Sequence, residues 1–161
     1  LESGVLAMTP KRHGIQQLLD AASAQAAPGA EAKAITLTVE PTDLTARFDP
    51  KWTAEALYNL VDNAVKYTPA GGAVTLRAVG YELFCRVDVT DTGPGIPESE
   101  QARIFQRFYR SPSASEAEGV GIGLYLARQI AAGQGGYLKV SSRPGEGSTF
   151  SLFLPRAEER T

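Results

Sequence analysis

The sequence predicts a mixed α/β domain, and three observations predict it. Apolar residues recur at helical spacing in residues 11–27, 55–67 and 124–131. They alternate every second residue in 35–39 and 83–89, the period of a half-buried strand. Glycine and proline punctuate the intervals, at Pro28-Gly29, Pro69-Ala-Gly-Gly72, Gly93-Pro-Gly95 and Gly133–Gly136. A chain of 161 residues, 43% hydrophobic and 21% charged, suits one globular domain with a proper core. The net charge of −2 argues against a nucleic-acid partner. No apolar run reaches membrane-spanning length, so any membrane anchor is expected outside these residues. Leu1-Glu-Ser-Gly4 lacks an initiator Met and a signal-peptide pattern, and the sequence reads as a piece of something longer. The single Cys85 excludes an internal disulfide.

Taken in order, residues 11–27 read as an amphipathic helix with Ile15, Leu18, Leu19 and Ala22 as its stripe. His13 sits at its polar start without an acid or nucleophile beside it, and reads as a solvated helix-end residue. Pro28-Gly29-Ala30-Glu31 reads as a linker, Ile35–Val39 as a strand, and Leu44–Phe48 as a second, weaker one. Asp49-Pro50 starts a helix, with Asp as N-cap and Pro at the first helical position. That helix runs to Thr68-Pro69. Ala73–Val79 and Leu83–Thr90 form a hairpin around Gly80, with Leu83, Cys85, Val87 and Val89 on one face, so Cys85 is core. Glu98–Arg110 reads as short helical pieces, with Ile104, Phe105 and Phe108 as apolar anchors among Arg103, Arg107 and Arg110. Ser111–Glu118 is a polar loop. Gly119-Val-Gly121-Ile-Gly123-Leu124 leads into a helix buried through Leu124, Ala127, Ile130 and Ala131. Tyr137–Ser141 and Ser148–Leu154 are strands, joined by Arg143-Pro-Gly-Glu-Gly147.

Three stretches carry chemistry. In the helix around residues 55–67, Leu57, Leu60, Val61, Ala64 and Val65 form the apolar side, and Glu55, Asn59, Asp62, Asn63 and Lys66 the other. Asn is a poor helix former, so two of them one turn apart need a reason. One reason is a solvated polar face. The other is a row of ligands: neutral amide oxygens suit a hard cation that keeps water and phosphate as its remaining ligands, and Lys adds a point charge. Asp91 continues the odd-numbered apolar face of its strand, where a carboxylate is costly without partners. It reads either as a capping Asp in a Gly/Pro turn or as a half-buried acceptor at a pocket floor. In the second case Gly93 and Gly95 let a flat ligand lie close. The glycines at 119, 121 and 123 lead a helix N-terminus, which presents N–H groups to an anion. The pattern is neither a dinucleotide fingerprint nor a P-loop.

In this order these segments resemble the ATP-binding catalytic domain of bacterial sensor histidine kinases, within the GHKL ATPase superfamily. Asn59-Leu-Val-Asp-Asn63-Ala-Val-Lys66-Tyr67 looks like its N box, and Asp91-Thr-Gly93-Pro-Gly95-Ile96 like its G1 box. Ile104-Phe105-Gln-Arg-Phe108-Tyr-Arg110 resembles the F box, and Gly119-Val-Gly121-Ile-Gly123-Leu124 the G2 box. Gly145-Glu-Gly147-Ser148-Thr-Phe150 resembles the closing Gly-rich motif. The resemblance covers nearly the whole chain. It implies a two-layer α/β sandwich, a mixed sheet of about five strands with helices on one face.

It also implies roles. Asn63 would coordinate Mg²⁺, with Asn59 and Lys66 at the nucleotide phosphates and Tyr67 beside the nucleotide. Asp91 would accept from the adenine amino group. Gly93, Gly95, Ile96, Phe108, Leu124 and Ser148 would line the nucleotide site, and Gly119, Gly121 and Gly123 would cradle phosphate. Residues 97–119 would form a lid, with Arg110 reaching the γ-phosphate. Asn59, Lys66 and Arg110 would be the catalytic set. The implied reaction, part of two-component signalling, passes the γ-phosphate of ATP to a histidine of a separate dimerisation domain, and indirectly to a response regulator. His13 lacks the setting of that acceptor. On this reading residues 1–10 are a linker remnant from the dimerisation domain, 11–155 the catalytic domain and 156–161 a loose tail. The isolated domain is expected to be a monomer, cytoplasmic within its parent. Two readings compete. One is a non-catalytic ATP-binding sensor in a degenerate kinase, against which Asn63, Lys66 and Asp91 count. The other is a different GHKL ATPase or serine kinase. Hydrolases of the superfamily use Glu at the position of Asn59, which counts against it.

Overall fold

The computed structural model describes residues 7–106 and 122–156. Eleven elements follow in the order β1 (Lys11–Gly14), α1 (Ile15–Ala32), β2 (Thr36–Val39), β3 (Thr45–Phe48), α2 (Pro50–Tyr67), β4 (Ala73–Gly80), β5 (Phe84–Asp91), α3 (Glu98–Gln101), α4 (Ile122–Gly133), β6 (Tyr137–Ser142) and β7 (Ser148–Pro155). Five strands make one mixed sheet in the order β2-β4-β5-β7-β6. Only the β2–β4 pair is parallel; β4–β5, β5–β7 and β6–β7 are antiparallel. Strands β1 and β3 form a separate antiparallel ribbon.

The helices cover one face of the five-stranded sheet. α2 lies between α1 and α4 and reaches β4 and β5, while α4 reaches β6 and β7. Leu57, Leu60, Val61 and Ala64 of α2, Leu76 of β4, Val87 and Val89 of β5, and Phe150, Leu152 and Leu154 of β7 are all buried in this one core. The two-layer sandwich is thus the expected one. Cys85 is fully buried among these residues, and burial pushes its thiol up to about 11, as fits a core position.

Several boundaries differ from expectation. Residues 11–14 are a strand, because Lys11, Arg12, His13 and Gly14 pair with Phe48, Arg47, Ala46 and Thr45. Backbone pairing to a partner some thirty positions away leaves no periodicity in the sequence. His13 is therefore not a solvated helix-end residue; it is half-buried, its ring 5.4 Å from that of Phe48. α1 also runs straight through Pro28-Gly29, where a linker was expected. Ala26 and Ala30, on either side of the proline, are both buried, and packing of that stripe outweighs the lost hydrogen bond. Leu83 lies outside β5 and is 72% exposed, so the buried face of that strand begins at Cys85.

The start of α2 is built as the sequence suggests. Asp49 Oδ1 accepts from Trp52 N at 3.0 Å and Pro50 occupies the first turn of α2. The other oxygen of Asp49 accepts from Thr9 N at 2.8 Å, and Trp52 Nε1 donates to Ala7 O at 3.2 Å. The segment that enters the domain is thereby tied to the start of α2. α1 ends in a Schellman arrangement: Ile35 N donates to Ala30 O at 2.8 Å and Ala34 N to Glu31 O at 3.1 Å. Ala34 takes the left-handed position usually given to glycine, with φ of 61°.

Candidate functional site

One face of α2, the end of β5, the start of α4 and the β6–β7 turn meet at one end of the sandwich. α2 supplies Asn59, Asn63, Lys66 and Tyr67. Asn59 and Asn63 are half-buried, Lys66 and Tyr67 exposed. Asn59 Nδ2 donates to Gly123 O at 3.3 Å, so the amide ties α2 to the first turn of α4 and keeps its oxygen available. Leu124, next along α4, is half-buried against the core. Lys66 Nζ sits 3.2 Å from Asp62 Oδ2, one turn back on the same helix. Tyr58 also bonds Asp62, and burial followed by the charge of Asp62 pushes the Tyr58 phenol up.

Asp91 ends β5 on the helix-covered face and is 9% exposed. Its Oδ1 accepts from Gly93 N at 2.8 Å, and Ser148 N also donates to the carboxylate. Burial raises its pKa; the two N–H groups oppose that rise without cancelling it. The result is a sequestered acceptor with capacity to spare, since a carboxylate offers about four lone-pair sites.

The loop after Asp91 is held by the β6–β7 turn. Ile96 N donates to Ser142 Oγ at 2.7 Å, Gly145 N donates to Pro94 O at 2.6 Å, and Gln101 Nε2 bridges Ile96 O and Ser142 O at 2.9 and 3.0 Å. Ser142 Oγ also meets Ser148 Oγ at 2.8 Å. Glycine is required at 95 by the protein itself: φ is 83°, and a side chain would meet Arg143 O at 2.1 Å. At Gly93 the nearest obstacle is Tyr67 O, 2.9 Å from where a Cβ would stand. Both glycines thus allow close backbone-to-backbone packing.

The sequence reading therefore assembles as two clusters. Asn59 joins Gly123, and Asp91 joins Gly93 and Ser148, with Tyr67 O closing over Gly93. Phe108, Arg110, Gly119 and Gly121 lie outside the described residues. Three contributors were missed. Ser142 and Gln101 fix the Gly93–Ile96 loop. Lys33 Nζ donates to Val65 O at 3.0 Å, and to Lys66 O, so that α1 caps the last turn of α2. Each acts across elements far apart in sequence, and a lone Ser, Gln or Lys carries no local signal of that.

The fold is a two-layer sandwich with one five-stranded mixed sheet. Residues 48–158 match the family described as histidine kinase-, DNA gyrase B- and HSP90-like ATPase. The chain belongs to that family, and its relatives place it with the ATP-binding catalytic domains of sensor histidine kinases. It is 42% identical over 131 residues to the adaptive-response sensory kinase SasA of Synechococcus sp. (strain JA-3-3Ab), covering 80% of this chain and 35% of the relative. It is 37% identical over 161 residues to the sensor protein DivL of Caulobacter vibrioides, covering 99% of this chain and 20% of that protein. Among solved structures, the mycobacterial sensor histidine kinase MprB superposes with a TM-score of 0.80 at 27% identity, over 93% of this chain and all of the other. Full-length ShkA in complex with AMPPNP gives 0.83 at 28% identity, over 98% of this chain and 33% of that one. The chain spans about a third of the length of the first SasA relative, 35%.

Proposed function

We propose that this domain binds ATP with Mg²⁺ between α2, the Gly93–Ile96 loop and the start of α4. It would then donate the γ-phosphate to a histidine on a dimerisation domain of its parent protein. The phosphate would go on to a response regulator. The observation that carries the reading is the buried carboxylate of Asp91, held by two backbone N–H groups and left with acceptor capacity. Such a group recognises an amino substituent, and it favours adenine over guanine, which carries a carbonyl at the matching place. One similar structure supports the nucleotide: full-length ShkA was solved in complex with AMPPNP.

The residues on α2 fit a phosphate-bound cation. Asn63 would offer its amide oxygen to Mg²⁺ from the same helix face as Asn59. Among the described residues no three His, Cys, Asp or Glu side chains cluster as a metal site. A cation at Asn63 would accordingly complete its shell with phosphate oxygens and water, the habit of Mg²⁺. Lys66 would exchange its bond to Asp62 for phosphate. Gly119, Gly121 and Arg110 would add phosphate contacts, and Phe108, Ile96, Leu124 and Ser148 the surround of the nucleotide. Phosphoryl transfer rests on positioning and charge neutralisation, and this arrangement supplies both. We propose residues 1–10 as the linker from a dimerisation domain; Arg156, which the sequence puts in a loose tail, is tied down, its N donating to Leu83 O at 3.0 Å and its guanidinium to Tyr81 O at 2.7 Å. Among the described residues no helix is long and apolar enough to cross a membrane. From the family alone, we propose a cytoplasmic position within the parent protein and a monomeric isolated domain.

The test is calorimetric titration of the wild type and Asp91→Asn with ADP and AMPPNP, with and without Mg²⁺. The expected result is saturable binding by the wild type, weakened about 10- to 100-fold by Asp91→Asn, the worth of one charge-assisted hydrogen bond. No binding by the wild type would overturn the proposal.

A further inference from the structure

Among the described residues, Thr68 Oγ1 is the one buried side-chain nitrogen or oxygen without a hydrogen-bond partner. Thr68 follows Tyr67 at the end of α2 and is 0% exposed. Its backbone N donates to Ala64 O at 3.1 Å. Its side chain is oriented by packing. The methyl group faces Gly72, where an added Cβ would lie 2.4 Å from Cγ2. The hydroxyl is turned the other way, toward Gly93. A Cβ on Gly93 would stand 3.4 Å from Thr68 Oγ1 and 3.1 Å from Asp91 Oδ1. The orphan hydroxyl and the sequestered carboxylate thus both lie beside Gly93.

An interior hydroxyl without a partner is unfavourable, and an orphan in a native structure needs an explanation. The chemistry of the proposed ligand provides one, and the inference rests on that nucleotide reading. The amino group of adenine donates, and Asp91 accepts. The ring nitrogens flanking that amino group are acceptors. A carboxylate cannot serve them, because it has no proton to give. Gly93 N and Ser148 N are already committed to Asp91. Thr68 Oγ1–H is a donor with nothing yet to bond. The geometry points to Thr68 as a second base-reading residue: its hydroxyl donates, directly or through one water, to the ring nitrogen beside the amino group that Asp91 holds. The pair then reads a donor and an adjacent acceptor, which is the adenine pattern, and Asp91 alone reads only half of it.

Titration of the wild type, Thr68→Val and Thr68→Ser with ADP, 1-deaza-ADP and 7-deaza-ADP tests this, together with thermal melting of each apo protein. Thr68→Val is expected to bind ADP about tenfold more weakly. Thr68→Ser, which keeps the hydroxyl, should bind close to wild type. The penalty of Thr68→Val should vanish for the one analogue that lacks the nitrogen concerned. Apo Thr68→Val should melt at or above the wild-type temperature, since it loses an unpartnered hydroxyl. Equal ADP binding by wild type and Thr68→Val would overturn the inference. So would a penalty of the same size for ADP and both analogues, or a lower melting temperature, which would mean the hydroxyl serves the fold. Failure of the nucleotide reading would look different: the wild type itself would bind no ADP.

Discussion

At the scale of single residues, Asp91 and Asn63 carry the sharpest expectations. Asp91 is held in a place that disfavours its charge. Its folded-state pKa lies above the ordinary 3.8, so its share of stability is greatest below that value. It is lost as pH rises through the folded-state pKa. Asp91→Asn cannot ionise and still accepts from Gly93 N. Its apo form should therefore melt above the wild type at pH 7, and the gap should shrink as pH falls toward 3.8. Thermal melts across pH check this, and a gap that widens on acidification would contradict the burial account. Function and stability would then pull on this side chain in opposite directions. Asn63 makes a complementary case. On the proposed reading, Asn63→Ala should weaken AMPPNP binding about tenfold in Mg²⁺ and much less in EDTA, since it would remove one proposed oxygen ligand of the cation and nothing from the base site. Titrations in both buffers separate those effects; equal losses would place Asn63 elsewhere than at the metal.

At the scale of elements, the ends of helices show what local rules deliver. α1 closes with Ala34 at a φ of 61°, where an L side chain is strained by about 1–2 kcal/mol. Ala34→Gly relieves that strain and gives back part of it as unfolded-chain entropy. We expect a net gain of about 0.5–1 kcal/mol, raising the melting temperature by a few degrees. Denaturant unfolding would measure it. Asp49-Pro50 as a helix start was readable directly, because cap and first turn are neighbours in the chain. So were the β4–β5 hairpin and the buried face of β5 from Cys85 to Asp91, written in a period of two. Strand β1 was not readable, because only its distant pairing with β3 makes it a strand. The passage of α1 through Pro28 was hidden for a related reason: burial of Ala26 and Ala30 overrides a local breaker. The site divides along the same line. Asn59, Asn63, Lys66 and Asp91 stand out by type and spacing. Ser142, Gln101, Lys33 and the orphaned Thr68 matter only through what folding brings to them.

At the scale of the whole molecule, the proposed nucleotide face is assembled from segments that share no neighbourhood in sequence. Gly123 at the head of α4 answers Asn59 in α2 across 64 positions, and Ser142 fixes Ile96 across 46. Such a site forms only when the domain folds as a unit, so nucleotide binding and global unfolding should report one cooperative event. The segment before β1 has a practical consequence for anyone choosing where an expression fragment begins. Thr9 gives its backbone N–H to Asp49, which also starts α2, and Ala7 O takes the indole proton of Trp52. Burial pulls the Asp49 carboxylate up, and the N–H groups of Thr9 and Trp52, with the Thr9 hydroxyl, outweigh it and hold the group below its ordinary pKa. Expression fragments that begin at Lys11 would discard the bonds made by Ala7 and Thr9 while leaving every strand and helix intact. Such a shortened clone should be less stable by about 1–2 kcal/mol than one beginning at Leu1. Chemical denaturation of the two fragments side by side measures the difference. The boundary chosen at the bench is therefore itself a variable, and a fragment trimmed to its first strand would understate how firmly this helix is seated.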